Sequence, residues 1–348
     1  MIKLKEKVLC LLAAGCARFG SLLFWIAFAL LALISLWCLG AFFRAFDLPA
    51  FCAWAAAVML AGSLVASWFF RPALAVTAAA ELATVIAFLL ITPESRFRDT
   101  VWQKPWRRTL KVKKLADGRY ELANVRDCLY RSEKDYDLRY RTVTVSPEQI
   151  SSIDAVFSHW DDLEGIAHSM LGLNFADGTT VVISLETRLP EGVEQNGLDG
   201  LYRRYELAML AGTPEDLYGL RTDYRGETLY VYRLRQDHRA LRDITLSLFS
   251  QAEELQAKPE FYNSLCRNCT TGLKPMLRSA DQSEESDIRV MLNGFAAHML
   301  FESRALACRE NESFGSLRAR SLVPGLCYGK GAPRARYGGE SECRWLRR

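Results

Sequence analysis

Residues 166–188 read IAHSMLGLNFADGTTVVISLETR, two runs of alternating apolar side chains on either side of Ala176-Asp177-Gly178. Alternation with period two reads as paired strands, and a three-residue loop ending in glycine closes an antiparallel hairpin when that glycine takes the left-handed conformation. In that register Phe175 faces Thr179 and His168 faces Glu186. Leu171, Leu173 and Phe175 then share one face with Val181, Ile183 and Leu185, while His168, Asn174, Ser184 and Glu186 share the other. A two-residue Asp177-Gly178 loop slips the pairing by one and sets His168 beside Thr187, on a face with Val181, Ile183 and Leu185. The apolar pattern favours the first register, because a one-residue slip moves a whole apolar set to the opposite face.

Around this hairpin the pattern is mixed. Residues 120–125, 140–145, 153–160 and 228–234 read as strands, the second of them rich in Thr and Val. Residues 200–210 and 241–255 carry helical spacing. Residues 102–114, basic and holding Trp102 and Trp106, read as a surface approach to the domain. The fold class expected is α+β.

The N-terminal part is of another kind. Residues 19–43 contain no charged side chain, and residues 48–70 form a second apolar run between Asp47 and Arg71. Residues 73–92 make a third, interrupted only by Glu81. A bilayer crossing takes about 20 apolar residues, so three transmembrane helices are expected. The rival for the first, a cleavable signal peptide, has an apolar core of only ~7–15 residues. Lys3, Lys5, Lys7 and Arg18 before the first span and Arg71 in the second loop set those ends in the cytoplasm by the positive-inside bias. Everything beyond Pro93 is then extracytoplasmic, the periplasm of a Gram-negative cell. Glu81 reads as a packing residue, protonated or partnered among Ala-rich turns, since an isolated charge in hydrocarbon is costly.

The domains expected are a membrane region over 1–92, an extracytoplasmic domain over 93–325 and an Arg-rich tail over 326–348. The domain is long enough for its own core. A net charge of +4 over 348 residues gives no support to a nucleic-acid partner, and no glycine-rich phosphate loop, paired CxxC clusters or basic-aromatic run appears. No cofactor and no metal are expected.

Chemistry is carried by residues 261–273, FYNSLCRNCTTGL. A thiolate becomes a usable nucleophile when an imidazole takes its proton and a helix N-terminus lowers its pKa. Cys269, ahead of a helix expected to begin near Thr270, fits both conditions if His168 is brought to it, and Glu186 beside the imidazole supplies a carboxylate. Tyr262, Asn263 and Asn268 are candidate pocket residues. Cys266, three positions before Cys269, leaves two other readings open, a structural disulfide and a thioredoxin-like redox pair. His238 lies in a charged segment, His298 in an apolar helical run, and His159 ends a strand. Cys308, Cys327 and Cys343 are odd in number, so full pairing is not forced even in an oxidising compartment.

The ordered set of IAHS at 166–169, ISLETR at 183–188, LYRRYEL at 201–207, LRTDYRGE at 220–227 and FYNSLCRNCTT at 261–271, with NVRD at 124–127 and YRSE at 130–133, resembles the Lnb N-terminal periplasmic domain family over about residues 102–322. That resemblance implies a lipoprotein N-acyltransferase, which moves an acyl chain from a lipid-modified cysteine to the same cysteine's amine. More distantly, a His-bearing strand followed by an Asn-Cys helix start is similar to circularly permuted papain-like enzymes of the NlpC/P60 class. This implies Cys269 as nucleophile, His168 as base and Glu186 as the group that orients it. Two features depart from the family pattern, Cys266 where a polar residue is more usual and the tail after Pro324.

The expectation is therefore three transmembrane helices followed by a permuted papain-like domain outside the bacterial inner membrane. Cys269 forms a thioester with acyl groups of lipoproteins or phospholipids, His168 shuttles the proton, and the Cys269 N–H helps hold the oxyanion. A cell-wall peptidase or amidase of NlpC/P60 type, and a non-catalytic membrane-anchored binding module, are the alternatives.

Overall fold

The computed structural model describes residues 2–159, 164–265, 267–270 and 293–325, with side chains from Leu22 onward. Cys266, Cys327, Cys343, the helix expected from Thr270, and the tail over 326–348 lie outside these residues. The chain divides into two units, Met1–Arg96 together with Tyr202–Arg204, and Phe97–Leu201 together with Tyr205–Arg348.

In the first unit, α1 (Ile2–Arg44), α2 (Ala50–Phe69) and α3 (Ala73–Leu89) pack against one another. Among the described residues, Leu22–Arg44 and Ala50–Phe69 are long and apolar enough to cross a membrane. The third expected span is a shorter helix of 17 residues, stopping ahead of Thr92-Pro93, where a proline disfavours the helical conformation of the residue before it; a one-turn helix, α4 (Pro93–Arg96), follows. Leu33, Leu36, Phe51 and Met59 point outward and are exposed. Glu81 is turned the other way, 2 % exposed, and its Oε1 accepts a hydrogen bond of 2.5 Å from Ser35 on α1. The carboxyl thus joins two helices, the packing role that its place among small residues suggests. Arg203 donates to the carbonyls of Phe88 and Ile91 at the end of α3, groups that have no partner within the helix itself.

The second unit is built on an eight-stranded mixed sheet. Its strands are β1 (Lys111–Lys114), β2 (Tyr120–Arg126), β5 (Tyr140–Val145), β6 (Ile150–His159), β7 (His168–Phe175), β8 (Thr180–Arg188), β9 (Glu206–Gly212) and β10 (Thr228–Arg233). A separate two-stranded ribbon holds β3 (Leu129–Tyr130) and β4 (Tyr136–Asp137). The main order is β1-β2-β9-β8-β7-β6-β10, with β5 pairing β2 off this path. The β2–β9 pair is parallel and the others are antiparallel. The helix α6 (His238–Ala257) packs its Leu241, Ile244, Leu248 and Phe249 on the face formed by Leu171, Leu173, Val181, Ile183, Leu185 and Met209. The other face takes α5 (Pro214–Gly219) through Leu217 and Tyr218, with Val156, Met170 and Val182 beneath.

The hairpin has the register that the apolar pattern favours. Leu171 pairs Ile183 and Leu173 pairs Val181, Phe175 N–H donates to Thr179, and Gly178 has φ +84°. Residues 200–210 depart from the helical reading. A 3-10 turn at Asp199–Tyr202 leads into β9, whose seven residues are all buried. A strand covered on both faces reads as a continuous apolar run, which periodicity alone does not separate from a buried helix. Within the expected surface approach at 102–114, Lys111–Lys114 is also a strand, at the sheet edge, where lysines discourage pairing with other chains.

Candidate active site

His168 is the first residue of β7 and lies opposite Ser158 of β6. Its Nε2 is 3.0 Å from Glu186 Oε1 on β8 and 2.7 Å from Ser184 Oγ. Ser184 in turn donates to the same Oε1 at 2.7 Å. The two side chains of the pair are 13 % and 15 % exposed, so their attraction is little screened. The three groups meet because residues 184 and 186 lie on one face of a strand and the register turns that face toward His168.

The imidazole also hydrogen-bonds the Cys269 thiol. Burial pushes the His168 pKa down, but the Glu186 carboxylate and the thiol outweigh it and raise the value to about 9, against an opposing push from Arg221. Burial pushes the Cys269 thiol up; the hydrogen bond and charge of His168 and the Ser169 N–H carry it below the ordinary thiol range. Burial likewise opposes ionisation of Glu186, and His168, Arg221 and Ser184 together hold it well below the usual carboxylate range. The arrangement favours a thiolate–imidazolium pair beside an ionised carboxylate.

Cys269 is set in place by the loop over 260–270. Leu207 N–H donates to Glu260 and Tyr262 N–H to Tyr205, which ties the loop to β9. Asn263 exchanges two backbone hydrogen bonds with Arg267, and its side chain accepts from Leu265 N–H. Asn268 is 7 % exposed; its amide donates to Ser264 and its Oδ1 accepts from Thr270 N–H at 3.0 Å. That last bond is of the kind that caps a helical turn. Asn263 and Asn268, expected in the pocket, thus hold the loop that carries the thiol. Tyr262 is hydrogen-bonded to Thr187, and burial together with the charge of Cys269 raises its pKa, which keeps the phenol neutral. A cavity of about 10 Å³ lies behind Cys269 between Ser169, Leu185, Met209 and Leu248, room for about one water molecule. Ser169 Oγ is buried there without a hydrogen-bond partner among the described residues.

Two groups at the centre were not singled out by sequence reading. Ser184 carries no sequence signal beyond its place on the His168 face of the hairpin. Arg221 comes from Leu220–Tyr224, a π-helical turn that continues α5, and its Nη2 is 3.3 Å from Glu186 Oε1. A buried arginine shows no sequence signal of its own, although the run over 220–227 that carries it is part of the resemblance. The other histidines lie apart from this centre: His159 packs edge-on to Tyr230, His238 contacts the Glu148 carbonyl, and His298 pairs Glu302 at 3.3 Å.

The class so defined is an α+β domain with a half-buried Cys-His-Glu constellation at one end of a sheet hairpin, in a chain with membrane-length apolar helices. Residues 136–294 match the family model of the Lnb N-terminal periplasmic domain. The match takes in His168, Glu186, Arg221 and Cys269, and is narrower than the resemblance drawn from the motifs, since 124–127 and 130–133 precede it. No curated protein and no solved structure matches the chain.

Proposed function

We propose that this chain is a membrane-anchored, cysteine-dependent acyl-transferring enzyme acting on lipoprotein or lipid acyl groups at the outer face of the inner membrane. The observation that carries the reading is the imidazole of His168, joined to the Glu186 carboxylate on one side and to the Cys269 thiol on the other. Three spans, with α3 as the last, set the domain outside the cytoplasm. The match to a periplasmic domain family supports that side of the membrane.

The Cys269 sulfur attacks an ester carbonyl, forming a C–S bond as the carbonyl π electrons move to oxygen. The Cys269 backbone N–H receives the oxyanion. Collapse breaks the C–O bond, and the His168 imidazolium gives its proton to the departing alkoxide. The thioester is then attacked by an amine, or by water in the hydrolytic variant. His168 takes the proton of that nucleophile, and the C–S bond breaks to restore the thiolate. Glu186 fixes the tautomer of His168 and stabilises its charged form. A distant relation to NlpC/P60 enzymes belongs to the same proposal.

The test is mass spectrometry of lipoproteins from cells carrying the parent, Cys269→Ala or His168→Ala protein. The acylation pattern of the parent is expected to disappear in both variants, and the double variant to lose little more, because groups acting as one unit fail together. A muropeptide change in place of a lipoprotein change identifies a cell-wall peptidase, and full activity in either single variant removes the thiol mechanism.

A further inference from the structure

We infer that Arg221 is a positioning residue of the Cys269–His168–Glu186 centre: delivered by a π-helical turn, it fixes the Glu186 carboxylate on the oxygen that His168 uses and tempers the hold of that carboxylate on the imidazole. The inference rests on the catalytic reading of Cys269 and His168 given above.

The geometry is a line of alternating charge. From the surface inward, Glu133 meets Arg225 at 3.0 Å and Arg225 meets Glu227 at 3.5 Å. Glu227 lies 3.8 Å from Arg221 Nε, and Arg221 Nη2 lies 3.3 Å from Glu186 Oε1. Glu186 completes the line at His168. Arg221 and Glu227 have side chains only 6 % and 8 % exposed, so these charges act in a medium that screens them far less than water does. Glu227 is itself held by Ser158 Oγ at 2.5 Å, on the strand directly opposite His168.

A π-turn places Arg221 here. Such turns are single-turn widenings of an α-helix and are frequent at functional sites. Asp216 on α5 binds Arg126 of β2 at 2.8 Å and also accepts from Cys128 N–H and Tyr130 OH, so the helix feeding the turn is locked to the sheet. Arg221 Nη1 then donates to Leu217 O at 2.9 Å. With its stem and one nitrogen fixed, the guanidinium aims its second nitrogen at Glu186.

Its placement has two consequences of opposite sign. Oε1 of Glu186 is met by His168 Nε2, Ser184 Oγ and Arg221 Nη2 together, which keeps the carboxylate ionised. The same guanidinium is a like charge to the imidazolium and pushes its pKa down. A carboxylate acting alone makes the imidazolium a weak acid, slow to protonate a leaving alkoxide; the ideal proton donor has a pKa near the working pH. Arg221 thus secures the carboxylate and moderates its effect. The charged and polar groups around the pair are Ser158 on β6, Ser184 on β8, Cys269 and Tyr262 on the 260–270 loop, and Arg221, Arg225 and Glu227 on the segment after α5.

The experiment reads Cys269 directly and needs no substrate. The full chain in detergent is treated with iodoacetamide across pH, and modification is followed by mass spectrometry on the tryptic peptide starting at Asn268, which cleavage after Arg267 separates from Cys266. The parent is expected to show two inflections, one below the ordinary thiol range and one at about 9. In Arg221→Met the upper inflection moves up by about one pH unit, and in Arg221→Lys, which keeps the charge, it returns toward the parent value. Because Arg221→Met leaves Glu227 without its buried partner, Arg221→Met/Glu227→Gln is measured beside it; buried charges removed together are tolerated better than one alone. An unchanged upper inflection in a folded Arg221→Met or in the double variant overturns the role of Arg221 and leaves the thiolate reading standing. A single inflection of ordinary thiol type in the parent overturns that reading, and the inference with it.

Discussion

His168 Nε2 and Glu186 Oε1 stand 3.0 Å apart across the β7–β8 ladder, and the contact is fixed by a turn at the far end of the hairpin. Gly178 closes that turn in the left-handed region at φ +84°. Counting back from Phe175 opposite Thr179, residues 168 and 186 come level. A slip of one residue turns Glu186 away from the imidazole.

The reactivity of Cys269 follows from this pairing. Its pKa lies below the ordinary thiol range, so the thiolate persists at pH values where a free thiol is protonated, and reactivity falls only as pH drops through that lowered value. His168 is raised to about 9, so the imidazolium partner is lost as pH rises through about 9. Its contribution to stability is fully present below the ordinary imidazole range and disappears over that alkaline window. A pH series of iodoacetamide rates at Cys269, with thermal melting at each pH, reads both effects.

Glu186→Gln removes the group that outweighs burial at His168. The upper inflection in Cys269 alkylation falls below about 9, the opposite direction to that expected for Arg221→Met. Acyl transfer drops by roughly 10²–10⁴-fold, the range of a positioned acid–base group. The pH–rate profile of a folded variant separates this from loss of structure.

Leu173 is wholly buried beneath α6. Leu173→Ala is expected to destabilise the domain by about 2–5 kcal/mol through lost burial and the cavity left behind. Gly178→Val acts on the turn alone, at about 1–2 kcal/mol for a side chain forced into the left-handed region. Denaturant unfolding of the full chain in detergent, followed at the domain, ranks the two.

Arg126 and Asp216 form a pair with side chains 6 % and 0 % exposed. Arg126→Met strands the carboxylate and is expected to cost about 3–5 kcal/mol. Arg126→Met/Asp216→Leu recovers much of that stability, and a double variant no more stable than the single shows that the pair does more than balance charge.

Topology is open to a direct check. On the proposed topology of three spans with a cytoplasmic basic N-terminus, a reporter that works only outside the cytoplasm, fused after Arg348, is expected to be active. Activity of a cytoplasm-only reporter at the same position removes the proposed location and the lipoprotein substrate with it.

Much of the site was legible because its parts lie in short, strongly patterned segments. The alternation over 166–188 named two strands, their register and the carboxylate opposite His168. Asn268 accepts from Thr270 N–H, a bond of the capping kind, while the helix expected beyond it lies outside the described residues. Glu206–Gly212 is a strand where helical spacing is expected, because both of its faces are covered and its residues show no alternation. Asn263, a candidate pocket residue by its place beside the thiol in sequence, also braces the 260–270 loop through its hydrogen bonds with Arg267 and Leu265.

The sequence by itself determined the apolar helices, the hairpin register and the residue types able to act as nucleophile, base and orienting carboxylate, since each depends on interactions spanning a few neighbours or one turn. Only the tertiary structure decided that Cys269, about a hundred residues beyond His168, meets it, and that Arg221 reaches the oxygen the imidazole uses. Those contacts depend on sheet order, on the parallel β2–β9 pairing beside the Arg126–Asp216 lock, and on the extra width of one π-turn. Charges brought together out of water are set by where the packed elements leave them, and local pattern carries no record of that distance.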